Sequence, residues 1–311
     1  MKVNKYRTNT CGELTINDLG KNVVLSGFVQ TIRDHGGVMF LDLRDHAGIT
    51  QVVVHDESML EGVSKETVIK VTGEVIRRDE ETVNTKLLTG EIEIKCESLE
   101  VLSPKAHTLP FEIDGMQEVN EEVRLKYRYL DMRSKKISNN IKLRSDVLHY
   151  LRNKMYDLGF TEVQTPILTV SSPEGARDFV VPSRKFKGKF YALPQAPQIY
   201  KELLMVGGVD KYFQVAPCFR DEDSRKDRTL EFYQLDMEMC FADQEDVFSI
   251  IEKVLPDVFA KYGIYKSASS VPFKRITYKD ALETYGSDKP DLRIDLTLKD
   301  ISNIASKTEF A

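Results

Sequence analysis

Between Phe213 and Met239 the chain alternates with a period of two on either side of a strongly charged loop. Successive strand side chains point to opposite faces. Before the loop, Phe213, Val215, Pro217 and Phe219 share one face, and Gln214, Ala216, Cys218, Arg220 and Glu222 share the other. After it, Tyr233, Leu235, Met237 and Met239 oppose Phe232, Gln234, Asp236 and Glu238. With residues 223–230 as the connection, the pattern predicts an antiparallel hairpin, one face on a core and one facing something polar. An arginine fork suits the oxygens of a phosphate or carboxylate. Carboxylates suit an ammonium group or Mg2+, and a phenylalanine face can hold a nucleobase. A solvated sheet face laced with weak surface ion pairs has the same composition, and the residues alone leave both readings open.

Around this hairpin the chain carries 44 Lys and Arg against 49 Asp and Glu, a net charge of −5 in 311 residues. Bulk charge therefore does not provide non-specific nucleic-acid binding; an RNA partner needs locally basic surfaces. The length predicts two domains. No apolar run approaches a membrane span, and the start has no apolar leader. Cys11, Cys96, Cys218 and Cys240 form no CxxC pair, and the five histidines show no ligand spacing. Reduced structural thiols, a cytoplasmic location and no metal site within the chain are expected.

Residues 1–103 hold five β-rich runs, beginning at "KNVVLSGFVQTIRD" and ending at "EIEIKCESLEVLS", separated by glycine-bearing and polar turns. Five short strands in this length predict an OB-type Greek-key barrel. Phe28 and Phe40 fall opposite the apolar faces of their strands, either as rings on which bases stack or as residues packed beneath loops. Residues 104–138 break the pattern with Ser-Pro and Leu-Pro and read as a hinge. From 139 the period becomes helical through Leu143, Val147, Leu151, Met155 and Leu158, with Gly159 placed as a C′ residue. "FTEVQTPIL" predicts a strand stopped near Pro166. Pro197 is placed to open a helix over 198–206 as its N1 residue. Gln198 and Lys201 share a face of that helix, and as isolated residues both read as surface side chains. Two further helices are predicted, from Val247 to Gly263 and over 277–285. The fold class is α+β, with an antiparallel sheet and flanking helices after the barrel.

"CFRDEDSRKDRTLEFYQLDMEM" resembles motif 2 of the class II aminoacyl-tRNA synthetases, and "TPILTVSSPEGARDFVVPSRKFKGKFYALPQAPQIYKELL" resembles the bacterial aspartate-specific branch of that class. The resemblance runs the length of the chain. It implies an anticodon-binding barrel over 1–103, a hinge over 104–138, a catalytic core over 139–285 and the start of an inserted domain over 286–311. The implied activity is ATP-dependent attachment of L-aspartate to tRNA(Asp) through an aspartyl-adenylate, with ATP and Mg2+ and in a homodimer. His35 and its neighbouring glycines resemble enzymes that also charge tRNA(Asn). By the same resemblance Arg220 bridges the α-phosphate and the substrate carboxylate. Asp221, Glu222, Thr229 and Phe232 belong to the ATP site, with Phe232 stacked on adenine. Glu174, Gln198 and Asp236 receive the amino-acid ammonium and its surroundings, and Lys201 pairs with the aspartate side chain. Arg33, Phe40 and Gln51 fall on anticodon-reading positions, and Arg225 and Arg228 on positions near the tRNA acceptor end. Ala196 and Thr229 depart from the family pattern, which usually has serine and glutamine there.

The chain holds no GxxxxGK[ST], GxGxxG or GxSxG motif. Activating a carboxylic acid with ATP needs neither a P-loop nor an enzymatic nucleophile, because the substrate carboxylate attacks phosphorus. Orientation and charge stabilisation suffice. No stretch matches the family's glycine-rich motif 3, so the chain is expected to be an N-terminal portion, inactive or weakly active by itself. The alternative is a non-catalytic OB-fold nucleic-acid-binding module on a synthetase-like scaffold.

Overall fold

A computed structural model describes residues 4–105, 107–115, 118–172, 174–225 and 228–308. The chain divides into two compact units, Met1–Asn140 and Ile141–Ala311.

In the first unit, β1 (Asn22–Asp34), β2 (Met39–Arg44), β3 (Ile49–Val54), β4 (Val68–Arg77) and β5 (Ile92–Ser103) close into a barrel in the order β1-β2-β3-β5-β4. This is the five-stranded OB-type architecture that the alternation predicts. Val23, Leu25 and Val29 of β1 point inward with Leu41 and Leu43 of β2, Val52 and Val54 of β3, and Ile92 and Ile94 of β5. Burying each such side chain contributes about 1.5–3 kcal/mol. Closure demands sharp bends. At Gly73, where the β4–β5 register shifts, a Cβ would sit 2.2 Å from the Lys95 carbonyl oxygen. Only glycine fits so close a backbone approach. Residues 104–138 hold more regular structure than their proline signals suggest: α1 (Glu121–Lys126), α2 (Arg128–Asp131) and the first residues of α3 (Lys135–Asp157). Asn120 caps α1 by accepting from the Glu122 amide.

The second unit is built on a three-stranded sheet, β10-β9-β6, from β6 (Thr161–Glu162), β9 (Lys211–Phe219) and β10 (Glu231–Met239). β9 and β10 pair antiparallel from Met239↔Lys211 to Glu231↔Phe219, the hairpin expected from the sequence. Its apolar face carries Phe213, Leu235, Met237 and Met239 against Met155, Phe160 and the Ile250–Val254 stripe of α5 (Gln244–Tyr262). The other face is not open: Gln214, Ala216 and Cys218 are buried, and α4 (Gln198–Val206) lies over it. β6 is far shorter than "FTEVQTPIL" predicts. It pairs with β9 only through Thr161 and Glu162; by Thr165 the backbone amide donates instead to the Gln214 side chain, at 3.2 Å. Pro197 is the N-cap of α4 rather than its first helical residue, with φ −80° and ψ 29°. Gly159 adopts φ +81° after α3, as its C′ placement requires. A two-stranded hairpin, β7 (Val180–Pro182) and β8 (Phe190–Ala192), precedes α4. α6 (Tyr278–Tyr285) and α7 (Ser302–Ala305) follow α5. Among the described residues no helix is long and apolar enough to cross a membrane.

Candidate active site

Lys201 is the centre of the second unit's polar site. The surface position that the residue has when read in isolation does not hold: it is 9% exposed, because α4 turns it onto the even-numbered face of β10. Its Nζ donates to Asp236 Oδ1 at 3.0 Å and lies 3.2 Å from Glu238 Oε2. Burial by itself lowers the ammonium pKa, but the hydrogen bonds and charges of the two carboxylates outweigh it and hold Lys201 above the ordinary lysine value. Burial raises the Asp236 carboxyl, with Lys201 opposing the rise. Asp236 Oδ2 is buried with no hydrogen-bond partner among the described residues. Beneath the pair, the hydroxyl of fully buried Tyr212 donates to Gln214 Oε1 at 2.9 Å, which also accepts from Thr165 Oγ1.

Arg220 follows the last residue of β9, its amide bonded to the Leu230 carbonyl across the hairpin. Its guanidinium lies 5.0 Å from the Phe232 ring centroid, and its Nε is buried without a partner among the described residues. Such orphaned groups cost free energy unless something completes them. Cys218, two residues before Arg220 on β9, is fully buried, and that burial pushes its thiol up to about 11.

Glu174 is carried by a loop that sequence reasoning did not explain. The Gln195 side chain, 1% exposed, donates from its amide nitrogen to the carbonyls of Ser172 (3.2 Å) and Ala176 (2.9 Å) and to Asp178 Oδ1. Its oxygen accepts from the Ala176 amide at 3.2 Å. Arg177 then pairs backbone to backbone with Asp221, tying this loop to the end of β9. Gln195, Glu238 and Tyr212 were absent from the predicted set. The period of two placed Glu238 beside Asp236, whereas nothing local marked Gln195. Other predicted residues stand apart. The Gln198 amide donates along its helix to Glu202 at 2.6 Å, and the Thr229 hydroxyl donates to the Glu231 carbonyl. Glu222 is bonded through its backbone to the Arg220 carbonyl. Arg225 and Arg228 lie exposed in the β9–β10 loop and exchange backbone hydrogen bonds. Among the described residues no cluster of His, Cys, Asp or Glu forms a metal-ligand set.

On the barrel, Arg33, Phe40 and Gln51 share one outer patch of β1–β3. Arg33 opposes Phe40 in register, and its guanidinium donates to Asp42 (3.0 Å) and Gln51 (3.2 Å). The Gln51 amide donates to Glu93, whose carboxyl is raised by burial. Phe40 is half-buried, with His35 edge-on at 5.5 Å. Phe28 is no free stacking ring: the Arg133 guanidinium lies 4.1 Å from its centroid, and Arg44 lies at 6.0 Å.

Residues 120–309 match the model of the tRNA synthetases class II (D, K and N), and residues 23–102 match that of the OB-fold nucleic acid binding domain. The chain is 56% identical over 307 residues to the aspartate–tRNA(Asp/Asn) ligase of Pelagibacter ubique, covering 97% of this chain and 51% of the relative. It is 53% identical over 314 residues to the aspartate–tRNA ligase of Streptomyces avermitilis, covering 99% and 53%. Asparaginyl-tRNA synthetase of Pyrococcus horikoshii, solved with asparaginyl-adenylate, superposes with a TM-score of 0.70 at 27% identity, over 83% of this chain and 58% of that one. The Entamoeba histolytica asparaginyl-tRNA synthetase shares the fold at a TM-score of 0.71 and 23% identity, over 85% and 63%. The chain spans about half the length of the curated relatives it matches. With the barrel, the sheet and the family match together, the chain belongs to the class II tRNA synthetases (D, K and N).

Proposed function

We propose that this chain supplies the aspartate-recognising and anticodon-reading parts of an aspartate–tRNA ligase, which joins L-aspartate to tRNA(Asp) through an aspartyl-adenylate. The observation that carries the reading is the buried Lys201 ammonium, held by Asp236 and Glu238, on the same sheet as an Arg220 whose Nε has no partner among the described residues. A buried cation answers a substrate side-chain carboxylate, and the neutral amide of asparagine brings no negative charge to meet it. The Asp236 carboxylate suits the substrate ammonium, with Glu174 and Gln198 completing its surroundings. Arg220 orients the substrate carboxylate against the α-phosphate and stabilises the charge that develops there. Adenine stacks on the Phe232 ring, and Asp221, Glu222 and the Thr229 backbone border it. Asp236 and Glu238 are engaged by Lys201, so Mg2+ would be held through the ATP phosphates, whose charge it would neutralise.

Arg33, Phe40 and Gln51 are assigned to anticodon bases, and Arg225 and Arg228 to the acceptor end. His35 against Phe40 supports tRNA(Asn) as a second substrate, as the name of the Pelagibacter relative suggests. The exposed Ile141 and Leu143 on α3 support a homodimer, and the four free thiols support a cytoplasmic setting. The test is amino-acid-dependent ATP–pyrophosphate exchange in a polypeptide of the relatives' full length, followed by charging of tRNA(Asp) and tRNA(Asn) transcripts. Exchange with aspartate and not with asparagine or lysine is expected; exchange led by asparagine or lysine would remove the assignment.

A further inference from the structure

The tip of the β7–β8 hairpin, Ser183-Arg-Lys-Phe-Lys-Gly-Lys189, carries a net charge of +4 in a chain of net −5. Arg184, Lys185, Lys187 and Lys189 are all exposed, and none has an ion-pair partner among the described residues. Like charges packed this closely repel one another, which disfavours the ordered tip unless an anion answers them. The tip is nevertheless built rather than loose. The Ser183 amide donates to the Lys189 carbonyl at 2.9 Å, and the Phe186 amide donates to Ser183 Oγ at 3.1 Å. A turn closes from the Lys189 amide to the Phe186 carbonyl, with Gly188 at φ +76°, a conformation that other residues enter only under strain. The exposed Phe186 ring gathers the Lys185 and Lys189 ammoniums at 5.5 and 5.9 Å. The result is a preorganised row of cations, which reduces the ordering entropy of binding a polyanion.

The base of this hairpin is the candidate site itself. Gln195 holds Asp178 just before β7, and the Leu193 amide donates to the Phe179 carbonyl at 2.8 Å. Ser183 is five residues from Asp178, roughly 17 Å along an extended strand.

We propose that this hairpin tip is a docking surface for RNA backbone phosphates, holding tRNA beside the aminoacylation site. The proposal rests on the tRNA-ligase reading and adds a contact that neither the family match nor the barrel assigns. Each phosphate contact contributes about 0.9 to the slope of log K against log salt on a duplex and about 0.7 on a single strand. The test is filter binding of a tRNA(Asp) transcript to this chain between low and moderate salt, comparing wild type with R184Q/K185Q/K187Q/K189Q. The expected result is a slope shallower by about 2–4 and affinity at least tenfold lower at low salt. A charge-keeping K185R/K187R/K189R variant should retain the wild-type slope, which separates lost phosphate contacts from lost folding. Wild-type binding with an unchanged slope in the glutamine variant would overturn the docking surface and leave the ligase reading intact. No tRNA binding by wild type would overturn the docking surface, while aspartate-dependent exchange in the full-length protein would still decide the ligase reading separately.

Discussion

The Lys201 ammonium and the Asp236 carboxylate, 35 residues apart, meet at 3.0 Å across α4 and β10, each side chain about one-tenth exposed. Removing one partner of so buried a pair leaves the other charge uncompensated, at a cost of about 3–5 kcal/mol. Lys201→Met should therefore lower the unfolding midpoint of the chain in urea. In the full-length protein it should also reduce aspartate-dependent exchange by at least a hundredfold, with little change in the KM for ATP. Undiminished exchange would show that Lys201 does not meet the substrate.

Gln195 should act on the site without touching substrate, because its amide holds the backbone on both sides of Glu174. Gln195→Ala is expected to raise the KM for aspartate about tenfold with a smaller effect on kcat, and to speed tryptic cleavage at Arg177. Gln195→Glu lacks the amide donors and faces Asp178, so it should not rescue. Equal protease sensitivity in all three proteins would contradict the clamp.

The barrel offers a pH test. Burial raises the folded-state pKa of Glu93, so the folded state binds the proton more tightly than the unfolded chain. Wild-type stability is then lost as pH rises from the unfolded value of about 4.3 through the higher folded one. Glu93→Gln keeps an acceptor for Gln51 without the charge. It should have the higher urea midpoint at neutral pH, and the gap should close as pH falls below 4. A gap of the same size at both ends would mean that ionisation is not its cause.

Cys218 is fully buried, with its thiol pushed up to about 11. It should stay unlabelled by iodoacetamide at pH 8 in the folded chain and react in urea, as peptide mass mapping would show. Labelling of the native chain at Cys218 would place solvent in the strand face described as closed.

Gly73→Ala should destabilise the barrel by more than about 2 kcal/mol, since its Cβ would collide with the Lys95 carbonyl rather than with a flexible side chain. Thermal unfolding would show it, and a Tm within a degree of wild type would mean that the bend relaxes at little cost.

Much of this molecule is legible one segment at a time. The five barrel strands, the β9–β10 hairpin and the helices α3 to α6 follow from periods of two and 3.6 and from punctuating residues such as Gly159, all local properties of the chain. Tertiary packing decided the rest. The even face of β9 reads as polar and open, yet α4 covers it and turns a nominal surface lysine into a buried cation between two carboxylates. Gln195 carries no local mark, because its four hydrogen bonds reach residues 17 to 23 positions away. β6 ends after two residues because a side chain of β9 takes over the amide of Thr165. Periodicity states which side of an element a residue occupies. What lies against that side, and therefore the charge state and partners of each group, depends on contacts between distant segments that exist only once the chain has folded.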